Sequence, residues 1–182
     1  MSLTIVDFNN FWSPSGGGVR RYHLEKMNFY RYETDAVYVF VMPDSRTYTE
    51  QLTDSLILEH VKAFKLPGTW EYRLLWKSSQ IAPILKRHKP DIIEVGSPYI
   101  LPTVVRKNAK KIVPRAKLLG FWHADFPITY VERPIAEKFG KKLGKLASQV
   151  AFAYARYEFK GFTGIQVSAE ETRLRLKRKG LP

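Results

Sequence analysis

The residues best placed for chemistry lie in a glycine-rich segment near the start of the chain, Ser13-Pro14-Ser15-Gly16-Gly17-Gly18-Val19-Arg20-Arg21-Tyr22. Glycine lets the backbone take positive φ angles and lets another molecule approach closely. The next apolar residues have helical spacing, so the segment predicts a turn before a helix N-terminus, whose free N–H groups attract anions. Two arginines in that first helical turn oppose the helix dipole, which an anion would offset. A tight turn without a ligand is the alternative. The residues expected to bind an anion such as a phosphate are Gly16, Gly17, Gly18, Arg20 and Arg21.

A second reactive group, His123, ends the apolar segment 117–123, and Asp125 follows two residues later. A neutral imidazole can bond a sugar hydroxyl or accept a proton. The alternative is a surface or hydrogen-bonded histidine without a chemical role, since histidine is often intermediate in burial. The four histidines have no mutual spacing typical of metal ligands, so we predict no metal site.

Alternating strands and helices must position these groups. Apolar segments rich in β-branched residues predict strands at 2–8, 36–42, 56–61, 91–96, 117–123 and 164–167. Helical spacing between most of them predicts an α/β protein: a Rossmann-like, doubly wound, mostly parallel sheet with helices on both faces. Such sheets bind ligands beyond the carboxyl ends of their strands. We therefore expect the glycine turn, the Gly96-Ser97 turn and the His123 loop to meet at one edge.

Four other segments carry specific predictions. Residues 44–55 are expected to form a loop or a weak helix, and residues 63–66 to extend the sheet before a turn at Pro67. Residues 134–160 have the longest helical pattern, which Gly140 and Gly144 could break into two helices. Ser168 and Glu171 have the spacing of a capping box for a last helix.

The composition is that of an ordinary soluble globular protein. The chain has 182 residues, 45% hydrophobic and 26% charged, which predicts a single domain over 1–182. It contains no cysteine, which excludes disulfides and thiolate chemistry and suits a reducing compartment. We recognise neither a signal peptide nor a transmembrane segment, so a cytoplasmic location is expected.

The charge balance points to an anionic partner. The chain has 30 Lys and Arg against 17 Asp and Glu, a net charge of +13. Lys138, Lys141, Lys142 and Lys145 form either a solvated helix face or a basic amphipathic helix on acidic lipid at the inner membrane surface. The nearby phenylalanines at 152, 159 and 162 could be membrane anchors or core residues. Nucleic acid is disfavoured, because aromatic and basic residues are not interleaved in a stacking motif.

Five motifs together resemble the N-terminal, acceptor-side lobe of retaining glycosyltransferases with the GT-B fold, of the glycosyltransferase family 4 type. The similarity spans essentially the whole chain; each motif is loose alone, and their order and spacing are more specific. In chain order they are Ile5-Val6-Asp7, the segment 15–22, Pro90-Asp91-Ile92-Ile93-Glu94-Val95, Trp122-His123-Ala124-Asp125, and the segment from Val167 to Gly180.

The resemblance implies a function and roles for individual residues. Members of this family transfer a sugar from a nucleotide donor across a cleft between two Rossmann-like lobes, with retention and without a metal or other cofactor. The donor diphosphate would assist deprotonation of the acceptor. By analogy the glycine turn would lie beside that diphosphate and the acceptor, and His123 beside the donor sugar. The acceptor side would include Ser97, Tyr99 and Asp125.

The chain departs from this family at its end. The family's second, donor-binding lobe holds most of the nucleotide site, and this sequence stops at Pro182, about where the crossover to that lobe should begin. We therefore expect a half-enzyme with negligible activity alone. One alternative is a stand-alone binding module for an anionic or phosphorylated ligand or a membrane surface. A nucleotide-dependent reductase is disfavoured, because the first turn lacks G-x-G-x-x-G and the second strand lacks a terminal acidic residue.

Overall fold

The computed structural model describes residues 2–12, 17–67 and 72–182. The strands are β1 (Thr4–Phe8), β2 (Val37–Asp44), β3 (Tyr48–Gln51), β4 (Leu56–Lys62), β5 (Phe64–Lys65), β6 (Arg73–Leu74), β7 (Ile92–Val95), β8 (Lys117–Trp122) and β9 (Gly164–Val167). The helices are α1 (Gly18–Tyr32), α2 (Ser78–His88), α3 (Leu101–Ile112), α4 (Arg133–Phe139), α5 (Lys141–Glu158) and α6 (Glu170–Arg178), with a π-helical turn at Pro127–Glu132 before α4.

Seven of these strands form one twisted layer in the order β3-β4-β2-β1-β7-β8-β9. All neighbouring pairs are parallel except β3 with β4. The sheet extends in both directions from β1, with β2 and β4 on one side and β7, β8 and β9 on the other. The predicted Rossmann-like, doubly wound sheet is therefore confirmed, and β1 and β7 flank its switch point.

Alternating side chains of the central strands bury both faces of the sheet. Tyr38 and Phe40 of β2 pack in one core with Met27 of α1. Val39 and Val41, which point the other way, belong to the opposite core together with apolar residues of α2, α3 and α5. Helices on both faces explain why β2 has a nearly continuous apolar sequence.

The prediction for residues 44–55 was wrong, because this segment contains a strand. β2 continues through Pro43 to Asp44, so the second strand does end in an acidic residue, contrary to the expectation from the sequence. β3 then returns antiparallel to β4 at the sheet edge. All four residues of β3 are exposed, so they lack the alternation that marks a half-buried strand. Thr49 secures this edge, since its hydroxyl donates a hydrogen bond of 2.8 Å to the Glu59 carboxylate.

Residues 63–66 do not extend the large sheet as expected. β5 pairs with β6 in a separate two-stranded antiparallel sheet. The guanidinium of Arg73 donates a hydrogen bond of 3.1 Å to the Ala63 carbonyl and ties this small sheet to the end of β4.

The long helical pattern at 134–160 is broken at Gly140, as its glycines suggested. Gly140 has a φ of 93°, a conformation that favours glycine, and separates α4 from α5. Gly144 lies where the two helices touch: an added Cβ would lie 2.6 Å from the Ala136 Cβ and 2.7 Å from the Glu132 carbonyl oxygen. The three phenylalanines at 152, 159 and 162 are buried, so core packing accounts for them.

The capping box predicted for the last helix does not form. Ala169 occupies the N-cap position of α6 and provides no side-chain cap. Glu170 and Glu171 lie in the first turn and form ion pairs with Arg173 and Arg175 respectively. Acidic side chains in a first turn interact favourably with the helix dipole, which stabilises the start of α6 in the absence of a side-chain cap.

Candidate functional site

The carboxyl ends of β1, β7 and β8 surround a cavity of about 620 Å³. Gly17 and Gly18 line it from the start of α1, Tyr99 from the segment after β7, and His123 and Phe126 from the segment after β8. The predicted meeting of the glycine turn and the imidazole at one sheet edge is therefore found for Gly17, Gly18 and His123. Gly16 lies outside the described residues.

The N-terminus of α1 faces this cavity. Gly17 is the N-cap residue, no side chain caps it within the described part of the chain, and the first turn contains no acidic residue. A Cβ added at Gly18 would meet no atom of the described residues within 4 Å, so the approach is open. Uncapped N–H groups and the helix dipole make this end suited to an anion.

The two arginines of the first turn differ in their surroundings, and neither is among the described residues that line the cavity. Arg20 is half-buried, with its guanidinium carbon 5.9 Å from the centroid of the Trp12 ring. Its Nε is buried and makes no hydrogen bond to the described residues. Arg21 is exposed. Arg20 is thus the better placed of the two for an anion at the helix start.

His123 is half-buried and its ring contacts aromatic neighbours. Its centroid lies 5.1 Å from that of Phe11 and 5.7 Å from that of Phe121. Burial lowers the pKa of His123, and the backbone of Gly96 opposes this shift without cancelling it. Burial therefore favours the neutral ring, in which one nitrogen donates and the other accepts a hydrogen bond.

The predicted acceptor residues occupy different positions. Tyr99 lines the cavity, and its ring centroid lies 6.0 Å from that of Phe11. Ser97 is fully buried, and its hydroxyl accepts a hydrogen bond of 3.4 Å from the Tyr99 backbone N–H. Ser97 therefore shapes the segment that carries Tyr99 and is not among the described residues lining the cavity.

Asp125 is not among the described residues that line the cavity, and it forms an ion pair with Arg175 of α6. Burial raises the pKa of Asp125, and Arg175 opposes this rise. Its backbone carbonyl accepts hydrogen bonds from the N–H groups of Ile128, at 3.1 Å, and Thr129, at 2.8 Å. Asp125 thus links α6 to the start of the π-helical turn, and its acceptor role stays a prediction.

Two buried asparagines after β1 position the site, and the sequence reasoning missed them. The Asn10 amide donates a hydrogen bond of 3.3 Å to the Leu75 carbonyl and accepts one of 2.8 Å from the Leu75 N–H. The side-chain Oδ1 of Asn9 accepts a hydrogen bond of 2.6 Å from the Phe11 N–H and so holds Phe11 against His123. The available signal was two consecutive amides at the end of a buried strand.

A buried polar network fixes α1 against the sheet. Nε2 of His23 contacts the Asn9 amide, and its Nδ1 lies 3.5 Å from Asp7 Oδ2. Lys26 forms ion pairs with Asp7 and Glu94. Burial lowers the pKa of His23 to about 4 despite Asp7, whereas the two carboxylates raise the pKa of Lys26 against the effect of burial. These contacts fix α1 to the sheet, and so they also fix the position of its N-terminus at the cavity.

The four predicted lysines, Lys138, Lys141, Lys142 and Lys145, are all exposed on α4 and the start of α5. Beside them runs an apolar groove of about 690 Å³, lined by residues of the π-helical turn, α4 and α5. The cavity and this groove share Tyr99, Phe126 and Tyr130 as walls, so they adjoin.

Comparison of the sequence with known protein families gives no match, and comparison with curated proteins gives none either. The fold and the cavity thus define an α/β protein with a Rossmann-like sheet and a ligand-sized cavity at its switch point. Across residues 2–12, 17–67 and 72–182, no three His, Asp or Glu side chains cluster as metal ligands would. No helix in those residues is long and apolar enough to cross a membrane.

Proposed function

We propose that this chain is the acceptor-side lobe of a retaining glycosyltransferase that uses a nucleotide-sugar donor. The observation that carries the proposal is the shared cavity of about 620 Å³, which joins His123 to the start of α1, where no described side chain caps the helix. An anion site and a neutral hydrogen-bonding ring in one cavity suit a ligand with a phosphate at one end and hydroxyl groups at the other.

The residues at the cavity would have separate roles in binding the donor and in orienting the donor and the acceptor. Backbone N–H groups at Gly17 and Gly18 would bind the donor diphosphate, with Arg20 close by. His123 would hold a hydroxyl of the donor sugar, and Tyr99 would contact the acceptor. The lobe forms only one wall of the cleft, and excluding water from the leaving diphosphate requires both walls. Transfer by this chain alone is therefore expected to be negligible.

Calorimetric titration of the chain with a panel of nucleotide sugars tests this proposal. We expect weak binding that His123→Ala reduces about 2- to 10-fold, the change produced by losing one neutral hydrogen bond. The matched control is His60→Gln on β4, which bonds Asp44 at 2.7 Å and lies outside the cavity. Nucleotide-sugar binding that is unchanged in His123→Ala would contradict the proposal. Tighter binding of nicotinamide dinucleotides than of nucleotide sugars would also contradict it.

The second candidate is a binding module without chemistry, for an anionic or phosphorylated ligand or a membrane surface. The exposed lysines on α4 and α5 favour it, because they lie outside the cavity. The two candidates differ in what the cavity contributes. A binding module of this kind would retain inorganic phosphate or lipid binding in His123→Ala and show no preference for a sugar.

A further inference from the structure

The surface formed by α4 and α5 carries several large apolar side chains that are exposed to solvent. Phe139 of α4 is 59% exposed, and Leu143, Leu146 and Val150 of α5 are 52%, 59% and 65% exposed. The three α5 residues follow helical spacing, so they form one stripe, which continues to Tyr157. The core contacts of α5 lie elsewhere, at Gly144, Ser148, Phe152, Ala155 and Glu158. The helix therefore has a buried face and a second, uncovered apolar face.

The charges around this stripe are mostly positive, although Glu132 of the π-helical turn and the exposed Glu137 of α4 lie next to its start. Residues 138–157 contain Lys138, Lys141, Lys142, Lys145 and Arg156 and no acidic residue. Glu158, the next acidic residue, is buried and accepts a hydrogen bond of 3.1 Å from the Thr103 N–H. Lys142 is an i,i+4 neighbour of Leu146, so cationic and apolar groups lie side by side. An apolar stripe bordered by lysines complements an anionic lipid surface.

A second copy of the chain suits this face less well. A two-fold contact would join two copies of the same net-positive surface, and like charges at close range repel. A bilayer instead offers phosphate groups to the lysines and acyl chains to the stripe. The lysines can extend their charged ends to the headgroups while the apolar side chains insert.

We propose that the surface formed by the π-helical turn, α4 and α5 binds an anionic lipid bilayer, with the apolar groove taking acyl chains. The groove of about 690 Å³ adjoins the cavity that contains His123 through the shared walls Tyr99, Phe126 and Tyr130. Bound in this way, the protein holds the cavity at the height of the lipid headgroups. If the proposed sugar transfer holds, on which this step rests, the acceptor is a lipid with its polar head in the cavity.

Co-sedimentation of the 182-residue chain with vesicles tests the bilayer contact. The vesicles are phosphatidylcholine alone or phosphatidylcholine mixed with phosphatidylglycerol. We expect binding to the mixed vesicles and a loss of about tenfold or more in the double variant Leu143→Ser/Leu146→Ser. The matched control is Leu24→Ser/Leu174→Ser, two exposed leucines on α1 and α6. Circular dichroism verifies that both variants are folded.

A second pair of double variants tests the role of the lysines. Lys142→Gln/Lys145→Gln should weaken binding to the mixed vesicles, whereas Lys110→Gln/Lys111→Gln, two exposed lysines on α3, should leave it unchanged. Absence of vesicle binding, equal effects of a test pair and its control, or a loss with the lysine pair alone would overturn the proposal. So would a dimer in light scattering that the leucine pair abolishes. These readouts do not involve sugar binding, so they fail independently of the proposed function.

Discussion

At the residue scale, His123 and His23 show how burial sets the chemistry of two nearby imidazoles. Both rings are kept neutral because burial lowers their pKa values. His123 borders the cavity, whereas His23 is fully enclosed between α1 and the sheet. The first is thus available to a ligand, and the second holds the helix whose start faces that ligand.

His23 makes the stability of the protein depend on pH in a defined window. Its pKa falls from an ordinary 6.5 to about 4 in the folded chain. Between these values the unfolded chain binds a proton that the folded chain does not, so the free energy of unfolding falls as the pH drops. The slope from this residue is at most about 1.4 kcal/mol per pH unit.

His23→Gln removes this titration and keeps a hydrogen-bonding side chain. Urea unfolding at several pH values should show a shallower decline for the variant between pH 6.5 and about 4 than for the parent chain. The relevant quantity is the difference between the two slopes, since Asp7 and Glu94 titrate in both proteins. Parallel declines would show that His23 is protonated as readily in the folded chain as in the unfolded one.

The residues that line the cavity were easier to predict than the residues that support them. His123 and the glycines stand out because they follow apolar strands, and the carboxyl ends of parallel strands meet at one edge. Asn9 and Asn10 gave no comparable signal. Asn10 bonds the backbone of Leu75, which is distant in sequence, and the bond from Asn9 to the nearby Phe11 matters only because the fold sets Phe11 against His123. A sequence shows which residues could react and seldom which amides hold them.

At the element scale, the contact between α4 and α5 depends on Gly144. Gly144→Ala would place a methyl group 2.7 Å from the Glu132 carbonyl oxygen and 2.6 Å from the Ala136 Cβ. We expect a net loss of about 1–3 kcal/mol in the free energy of unfolding, because this overpacking exceeds the gain in helix propensity. Thermal or urea denaturation measures the loss.

Gly18→Ala is the matched control for this substitution. Gly18 is also helical, and an added Cβ there meets no atom of the described residues within 4 Å. The free energy of unfolding of Gly18→Ala should stay the same or rise slightly, because alanine lowers the conformational entropy of the unfolded chain. Equal stabilities of the two variants would mean that α4 can move away from α5 at little cost.

Elements were predictable where burial imposes a pattern on the sequence. The apolar runs of β2 and β8 and the glycine break at Gly140 all follow from local sequence. β3 was missed because its four residues are exposed and paired on one side alone. The uncovered stripe on α5 was predicted as helix, but its exposure was not, since helical spacing alone does not tell a core face from a free one.

At the scale of the whole molecule, the net charge of +13 favours contact with anionic surfaces. Binding to phosphatidylglycerol-containing vesicles should therefore weaken as salt rises. Between about 0.1 M and 1 M salt the screening length shrinks from about 10 Å to 3 Å, and we expect at least a roughly tenfold loss of affinity. A residual affinity due to the apolar stripe should persist at high salt.

The leucine variant separates these two contributions. Leu143→Ser/Leu146→Ser should follow the same salt dependence as the parent chain but lose the residual affinity at high salt, because its lysines are intact. Vesicle sedimentation across a salt series measures both. Affinity that does not change with salt in either protein would exclude a role for the lysines.

The Asn9 side chain packs closely against the backbone of Gly96, which is distant in sequence, so we expect the residues at these two positions to vary together. A Cβ at position 96 would lie 2.5 Å from the Asn9 Nδ2, so the side chain at either position limits the other. A larger residue at 96 would require the Asn9 amide to shift, so we expect substitutions at 96 to occur together with substitutions at 9. An alignment of diverged copies would reveal these paired changes at two sites far apart in sequence.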